Sequence, residues 1–213
     1  MNVGPPPPIA NIAAPVRQQL ADALSEVVTA FPELKGATFT FEAMAEPTYF
    51  FAMTKQPKDI MLRRNAYVLK FNPLFAEKGL SAAGLRAILA HEVSHALCYQ
   101  REGFAGLLKT AIANIGHEPP TGPTVERAAD VEAIIRGFGP GLAEYRTWQY
   151  ALLDAETVRL KRKTYFTPEE ALAAVEALAT SPALAQHWRA SPPLSLQAIQ
   201  DDIRRFKTAG WSP

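Results

Sequence analysis

The residues of this sequence best suited to chemistry lie together in the segment His91-Glu92-Val93-Ser94-His95. In an α-helix, residues four apart lie one above the other, so His91 and His95 can direct two imidazole nitrogens at one point. Two such imidazoles supply half of the donor atoms of a tetrahedral zinc site. Glu92 directly follows His91, which places its carboxylate beside the metal, where it can accept a proton from a metal-activated water. The spacing predicts a hydrolytic zinc site; the alternative is an incidental pair of histidines on a half-buried helix.

The motif lies in a segment whose pattern predicts a helix from Ser81 to Gly103. Ser81 is a suitable N-cap, apolar residues then recur with helical period, and Gly103 is the expected C-terminal end. Cys98 lies seven residues after His91 and nearly on the same face. At 1.5 Å rise per residue the two are ~10 Å apart along the axis, too far to share one ion. We therefore expect Cys98 to be a small buried residue rather than a ligand.

A third ligand must come from elsewhere in the chain. One type of zinc peptidase places a histidine six residues beyond the second histidine, but here that position holds Arg101. Among the glutamates, Glu126 is distinguished by Asp130 four residues later, a carboxylate able to orient a ligand histidine. A loop rich in glycine and proline precedes this pair and lets a second helix fold back against the first. Glu126 is therefore the favoured third ligand, and His117-Glu118 in the loop is the alternative.

The motifs HEVSH and ERAAD together resemble the gluzincins, the thermolysin-like zinc peptidases. The E-x-x-A-D form is closest to the family that includes the CaaX prenyl-protein peptidase and the heat-shock membrane protease. This resemblance implies one zinc ion held by His91, His95 and Glu126. It also implies Glu92 as the general base and Asp130 as the hydrogen-bond partner of a ligand histidine.

The resemblance covers about residues 60–140, and the chain departs from the membrane relatives beyond it. A C-terminal segment of that family carries His-Pro and then Arg-Ile, whereas this sequence has Ser191 and Gln197 at the two polar positions. The longest apolar run has 12 residues, Phe104 to Ile115, against about 20 for a membrane-spanning helix. We therefore expect a peptide or protein substrate and no membrane span.

The predicted reaction is the hydrolysis of peptide bonds by an endopeptidase, with Glu92 as general base and then as proton donor to the leaving amine. The oxyanion that forms requires a further donor, and the sequence leaves five candidates open. These are His187, Tyr145, Tyr150, Tyr165 and Arg146. Two other functions remain open as well: a zinc-binding regulatory or sensor domain without turnover, and a metal-free helical interaction module.

Composition restricts the partners and the location of the protein. The 22 basic and 21 acidic residues leave a net charge of +1, which favours neither nucleic acid nor an anionic membrane as a partner. The single cysteine cannot form an internal disulfide. The N-terminal segment has four consecutive prolines and no basic start followed by an apolar run, unlike a secretory signal. We expect a soluble, cytoplasmic protein.

The fold expected is α+β: a mostly helical, zincin-like domain with a small mixed sheet of about three strands before the active-site helix. Residues 1–14 are predicted to be a disordered Pro-rich tail and residues 15–213 a single domain. The strand at Tyr67–Phe71 is either an edge to which a substrate adds or an ordinary core strand. The strands are predicted at Thr38–Phe41, Tyr49–Met53 and Tyr67–Phe71, and the other helices at Pro15–Ala30, Phe104–Ile115, Thr121 or Thr124 to Gly137, Leu142–Lys163, Pro168–Ala179 and Leu194–Lys207.

Overall fold

The computed structural model describes residues 13–46, 48–113 and 123–208. It is about 69% helical and contains one three-stranded mixed sheet, which confirms the predicted α+β class. Among the described helices, none combines the length and apolar character needed to cross a membrane. The first 12 residues of the predicted tail and the His117-Glu118 pair lie outside the described residues.

Two compact units make up the chain: Met1–Leu80 with Glu92–Pro120, and Ser81–His91 with Thr121–Pro213. The single domain expected for residues 15–213 stays a prediction. Each unit has its own set of elements. The first contains helices α1 (Ala14–Thr29), α2 (Pro57–Met61) and α3 (Leu74–Glu77) with strands β1 (Thr38–Ala43), β2 (Phe51–Thr54) and β3 (Ala66–Phe71), and the second contains α5 (Pro123–Ala133), α6 (Gly139–Leu152), α7 (Ala155–Thr164), α8 (Pro168–Thr180), α9 (Leu184–Ala190) and α10 (Leu196–Thr208).

The sheet of the first unit has the strand order β1-β3-β2. β1 runs parallel to β3, with Thr38 opposite Ala66, and β2 runs antiparallel to β3, with Phe51 opposite Phe71. The three strands lie within two residues of their predicted positions. β3 is the central strand, however, so its hydrogen-bonding groups are used on both sides. The suggestion that this strand is an edge open to a substrate is therefore wrong.

Helix α4 (Ala82–Ala113) carries the HEVSH motif and is ten residues longer than predicted at its C-terminal end. Ser81 caps the helix as expected, because its hydroxyl accepts a hydrogen bond from the Gly84 N–H at 2.9 Å. The predicted end at Gly103 and the separate helix from Phe104 are wrong. A glycine lowers helix stability by only ~1 kcal/mol, and the residues from Phe104 to Ala113 include no proline.

The apolar core of the second unit lies where α5, α6, α8, α9 and α10 meet the first turns of α4. Its largest side chains are Trp188, Phe166, Leu142 and Ile134, all buried. The predicted helix from Leu142 to Lys163 proves to be two helices. The break is marked in the sequence by Asp154, a suitable N-cap residue. Its carboxylate accepts a hydrogen bond from the Thr157 N–H at 2.9 Å and caps α7.

The glycine-rich segment after α5 redirects the chain rather than ending the helical structure. Residues Ile134–Phe138 form a π-helical turn in which Gly137 has φ +92°, and α6 begins at once with Gly139. A φ of this sign favours glycine over any other residue. The predicted end of the helix at this glycine cluster is confirmed by the break at Gly137, and the next helix begins three residues earlier than predicted, at Gly139 instead of Leu142.

Gly141 allows α6 to approach the start of α4 closely. A Cβ atom added at this position would collide with the carbonyl oxygen of Ala83 and would lie 3.0 Å from the Cβ of Ala87. Two helix backbones in such contact cannot separate without disturbing the core around them. The sequence of α6 thus fixes the place of the helix that carries His91.

We expect Gly141→Ala to lower the free energy of unfolding by about 1–3 kcal/mol, because the added methyl group overpacks the contact between α6 and α4. Urea denaturation followed by circular dichroism measures the change. In an unobstructed helix, the same replacement would stabilise the protein by about 1 kcal/mol. A stability gain of that size would contradict the close approach.

Candidate metal centre

His91 lies on α4 with 2% of its surface exposed, and both of its ring nitrogens contact carboxylates of α5. Nδ1 lies 2.8 Å from Oδ1 of Asp130, and Nε2 lies 3.1 Å from Oε2 of Glu126. Glu126 and Asp130 are four residues apart and therefore share one face of α5. The imidazole ring is held between them, one carboxylate at each nitrogen.

Three side chains in this region offer donor atoms to a common point. One ring nitrogen each of His91 and His95 and one carboxylate oxygen of Glu126 all lie within 4.8 Å of one another. Zinc binds such nitrogens and oxygens at 2.0–2.2 Å, so the donors of a tetrahedral site lie about 3.3 Å apart. The 3.1 Å between Nε2 of His91 and Oε2 of Glu126 is close to that spacing. The three side chains could together hold a metal ion, and zinc as its identity stays a prediction.

Glu92 occupies the turn of α4 between the two histidines. Its side chain is 5% exposed, so it belongs to the interior and not to a solvated helix face. A buried carboxylate is expensive unless a positive charge or hydrogen-bond donors compensate it. Glu92 is therefore a buried carboxylate one residue away from a candidate ligand, and its role as general base stays a prediction.

Asp130 is fully buried and accepts hydrogen bonds at both of its oxygens. Oδ1 accepts from Nη2 of Arg146 at 3.0 Å and faces Nδ1 of His91, while Oδ2 accepts from the Phe166 N–H at 2.8 Å. Burial alone would raise the pKa of Asp130. Arg146, His91 and the Phe166 N–H together nevertheless hold that pKa below its ordinary value. Asp130 is thus an acceptor at neutral pH.

An ionised Asp130 determines which nitrogen of His91 carries a proton. A carboxylate can only accept, so the contact at 2.8 Å requires a proton on Nδ1. Nε2 then either presents its lone pair to a cation or carries a second proton toward Glu126. The first state is that of a metal ligand whose other nitrogen donates to a carboxylate, an arrangement common to zinc-binding histidines.

Arg146 is the cation that compensates Asp130, and it is 2% exposed. Its guanidinium carbon lies 4.3 Å from the centre of the Tyr165 ring and 5.3 Å from that of Tyr145. Nη1 donates to Oε1 of Gln149 at 3.3 Å. Burial alone would lower the pKa of Arg146, but Asp130 and the surrounding tyrosines raise it. The guanidinium is therefore charged at any pH at which the protein folds.

Of the five residues predicted as oxyanion donors, two lie beside the candidate ligands. The Tyr165 ring centre is 5.9 Å from that of His91, and Arg146 contacts Asp130 directly. Both side chains belong to the surroundings of His91. Which of the five donates to an oxyanion stays a prediction.

The other three predicted oxyanion donors, Tyr145, Tyr150 and His187, make no contact with the candidate ligands in the contacts described. The Tyr145 hydroxyl accepts a hydrogen bond from Nε2 of Gln149 at 3.2 Å, and the Tyr150 hydroxyl is buried without a partner among the described residues. His187, which is 39% exposed at its side chain, lies 3.5 Å from Oδ2 of Asp202 in a cluster of α9 and α10. None of these contacts involves a predicted metal ligand.

Arg127 lies beside the candidate ligand Glu126 and was not selected by any feature of the sequence. It is fully buried next to Glu126, and Nη1 and Nε donate to the carbonyl oxygens of Tyr165 at 2.7 Å and of Pro193 at 2.8 Å. Nη2 forms an ion pair with Oε1 of Glu170 at 2.8 Å. These contacts span 38 to 66 residues, so no local spacing reveals them. They tie the start of α5 to the segment that carries Tyr165.

Comparison with protein-family models, with curated proteins and with solved structures finds no match to this chain. The likeness to gluzincins therefore stays a prediction from the two sequence motifs.

Asp130→Asn is expected to lower the free energy of unfolding by about 3 kcal/mol, because it leaves the buried charge of Arg146 uncompensated. Chemical denaturation at neutral pH without added metal gives the value. Asp201→Asn is the matched control, since Asp201 pairs with Arg204 on an exposed helix face and contributes little. Equal losses of unfolding free energy in the two variants would show that Asp130 does not compensate the buried charge of Arg146.

Proposed function

We propose that this protein is a zinc-dependent peptidase that hydrolyses peptide bonds in peptide or protein substrates. One observation carries the proposal: donor atoms of His91, His95 and Glu126 approach within 4.8 Å of one another. Two imidazoles and one carboxylate form a donor set typical of catalytic zinc, whereas structural zinc usually has four protein ligands, often cysteines. Three protein ligands leave one position open for chemistry.

The proposed roles follow from where each side chain lies. His91, His95 and Glu126 would hold the ion, and Asp130 would keep the Nδ1 proton of His91 directed away from it. Zinc in such a site acts as a Lewis acid and makes water a nucleophile near neutral pH. Glu92 would accept the proton of the attacking water and deliver it to the leaving amine.

The buried position of Glu92 favours an enzyme over a sensor. A sensor needs only the three ligands and has no use for a further carboxylate beside them, whereas metal-assisted hydrolysis requires one. Glu92 is only 5% exposed and lies in the protein interior. Proton transfer at a reacting centre gives a reason for a carboxylate in that place.

The distances around His91 also admit a state without metal. A doubly protonated imidazole would donate to Asp130 at 2.8 Å and to Glu126 at 3.1 Å and would form a buried ion pair with both. In that case the motif would contribute to stability alone, as in a metal-free interaction module. Metal content distinguishes this state from the proposed one.

Purified without chelators and supplied with zinc, the protein is expected to retain about one equivalent after desalting, and chelation should lower its melting temperature. A ligand present at 1,000 times its Kd stabilises a folded protein by about 4 kcal/mol. Elemental analysis and thermal unfolding measure the two effects. His91→Ala should abolish the bound equivalent, whereas His187→Ala should retain it because His187 contacts Asp202.

Less than half an equivalent in wild type, with no stabilisation on adding zinc, would refute the metal centre. Retention of the bound equivalent by His91→Ala would assign the binding to residues other than His91.

Glu92→Gln is expected to retain zinc and to lose at least ~100-fold in the rate of peptide cleavage, since a carboxamide cannot accept the proton. Mass spectrometry of a mixed peptide library reports cleavage, and metal analysis of the same sample reports zinc. Glu156→Gln serves as the control, because Glu156 is an exposed residue of α7 paired with Arg159. Undiminished cleavage by Glu92→Gln, or no cleavage by wild type, would contradict the proposed reaction.

A further inference from the structure

We infer that Arg146 is a positioning residue of the metal centre: it fixes Asp130, and Asp130 in turn fixes the ring of His91. The inference rests on the proposed function, because it assigns Arg146 a role in metal binding. It gives this residue a different task from that of an oxyanion donor. The task is performed through Asp130 and without contact to the substrate or the metal.

Arg146 and His91 share one oxygen atom of Asp130. Oδ1 lies 3.0 Å from Nη2 of Arg146 and 2.8 Å from Nδ1 of His91. The remaining oxygen is held by the main-chain N–H of Phe166 at 2.8 Å. Two fixed points, one at each oxygen, prevent the carboxylate group from rotating. Removing Arg146 would leave only one of these besides the imidazole itself.

The guanidinium contacts groups on several sides, as a positioning group requires. Its carbon lies 4.3 Å and 5.3 Å from the ring centres of Tyr165 and Tyr145, and Nη1 donates to Gln149 on the same helix. Tyr165 in turn lies against the His91 ring. Arg146 therefore connects α6 to the ligand on α4 through stacking as well as through Asp130.

Burial separates this role from direct contact with a substrate. Arg146 is 2% exposed, and its Nη2 is engaged by Asp130. A donor to an oxyanion must reach the reacting carbonyl group at about 2.7–3.1 Å. A buried guanidinium that contacts two tyrosine rings and a buried aspartate is better placed to hold a ligand in position than to bind a substrate.

The first test compares zinc affinity in wild type and Arg146→Met, measured by competition with a chromophoric chelator. We expect the Kd for zinc to rise about 10–100-fold, which is the usual effect of losing a hydrogen-bonding group that orients a metal ligand. Binding of Co²⁺ gives a second readout, because its absorption bands report coordination geometry. Those bands should shift or weaken in the variant.

A double-mutant cycle tests whether Arg146 acts through Asp130. Arg146→Met is made in wild type and in Asp130→Asn, and zinc affinity is measured for all four proteins. If Arg146 acts through Asp130, its replacement should change the Kd less than 3-fold once Asp130 is already asparagine. Equal fold-changes in both backgrounds would overturn the inference, because they would mean that Arg146 affects the site only through general stability.

Arg136→Met is the matched control. Arg136 is a nearly buried arginine whose Nη2 pairs with Glu132 at 2.6 Å, so its loss also breaks an ion pair on α5. It should leave zinc affinity unchanged. If it weakens zinc binding as much as Arg146→Met does, the role assigned to Arg146 is wrong.

Circular dichroism first establishes that each variant is folded. Should Arg146→Met fail to fold, Arg146→Lys takes its place, since a lysine keeps a cation beside Asp130 but cannot reproduce the planar stacking on two rings. Arg146→Gln, which removes the charge and keeps a polar side chain, is measured beside it, and the zinc Kd of Arg146→Lys should lie between those of wild type and Arg146→Gln. A Kd equal to that of wild type in both would overturn the inference.

The experiments distinguish a failure of the role assigned to Arg146 from a failure of the proposed function. Zinc binding by wild type without peptide cleavage would refute the peptidase and leave the role of Arg146 intact. Failure of wild type to bind zinc would refute both.

Discussion

Asp130 is a carboxylate without exposed surface, and the charge on such a group must be compensated from within the protein. An arginine from α6, a main-chain N–H that precedes α8 and the imidazole of His91 provide this compensation. Three elements must therefore meet at one aspartate before its burial is favourable. The candidate metal centre is a consequence of that meeting, because the ring of His91 takes its orientation from it.

Helix α5 shows the same principle over its whole length. Most of its residues are buried, yet four of the buried ones carry charge: Glu126, Arg127, Asp130 and Glu132. Its ion pairs lead to three different helices, with Arg127 to Glu170 on α8, Asp130 to Arg146 on α6 and Glu132 to Arg189 on α9. Apolar contacts tolerate sliding, whereas charges paired in this way specify one position of the helix. The position of Glu126 beside His91 depends on these pairs.

The features that could be predicted from the sequence are those that depend on residues close together in the chain. The i, i+4 spacing of His91 with His95 and of Glu126 with Asp130 survives in any helix, and Ser81 acts on its own first turn. Gly103 misled because glycine alone is a weak stop signal. The partners of Asp130 lie 16 to 39 residues away, and no periodicity links them. The central place of β3 was equally hidden, since strand order depends on pairings that a run of β-branched residues does not encode.

The Phe166 N–H, which completes the shell of Asp130, belongs to a part of the chain that a ribosome makes 75 residues after His91 and 36 after Asp130. Until that amide is synthesised, one oxygen of Asp130 lacks its donor, and neither the carboxylate nor the imidazole has a reason to adopt its final orientation. Contacts of such sequence separation form late, after their loop-closure entropy has been overcome. His91 and His95 of a nascent chain therefore have no fixed orientation until the segment with Phe166 has been synthesised.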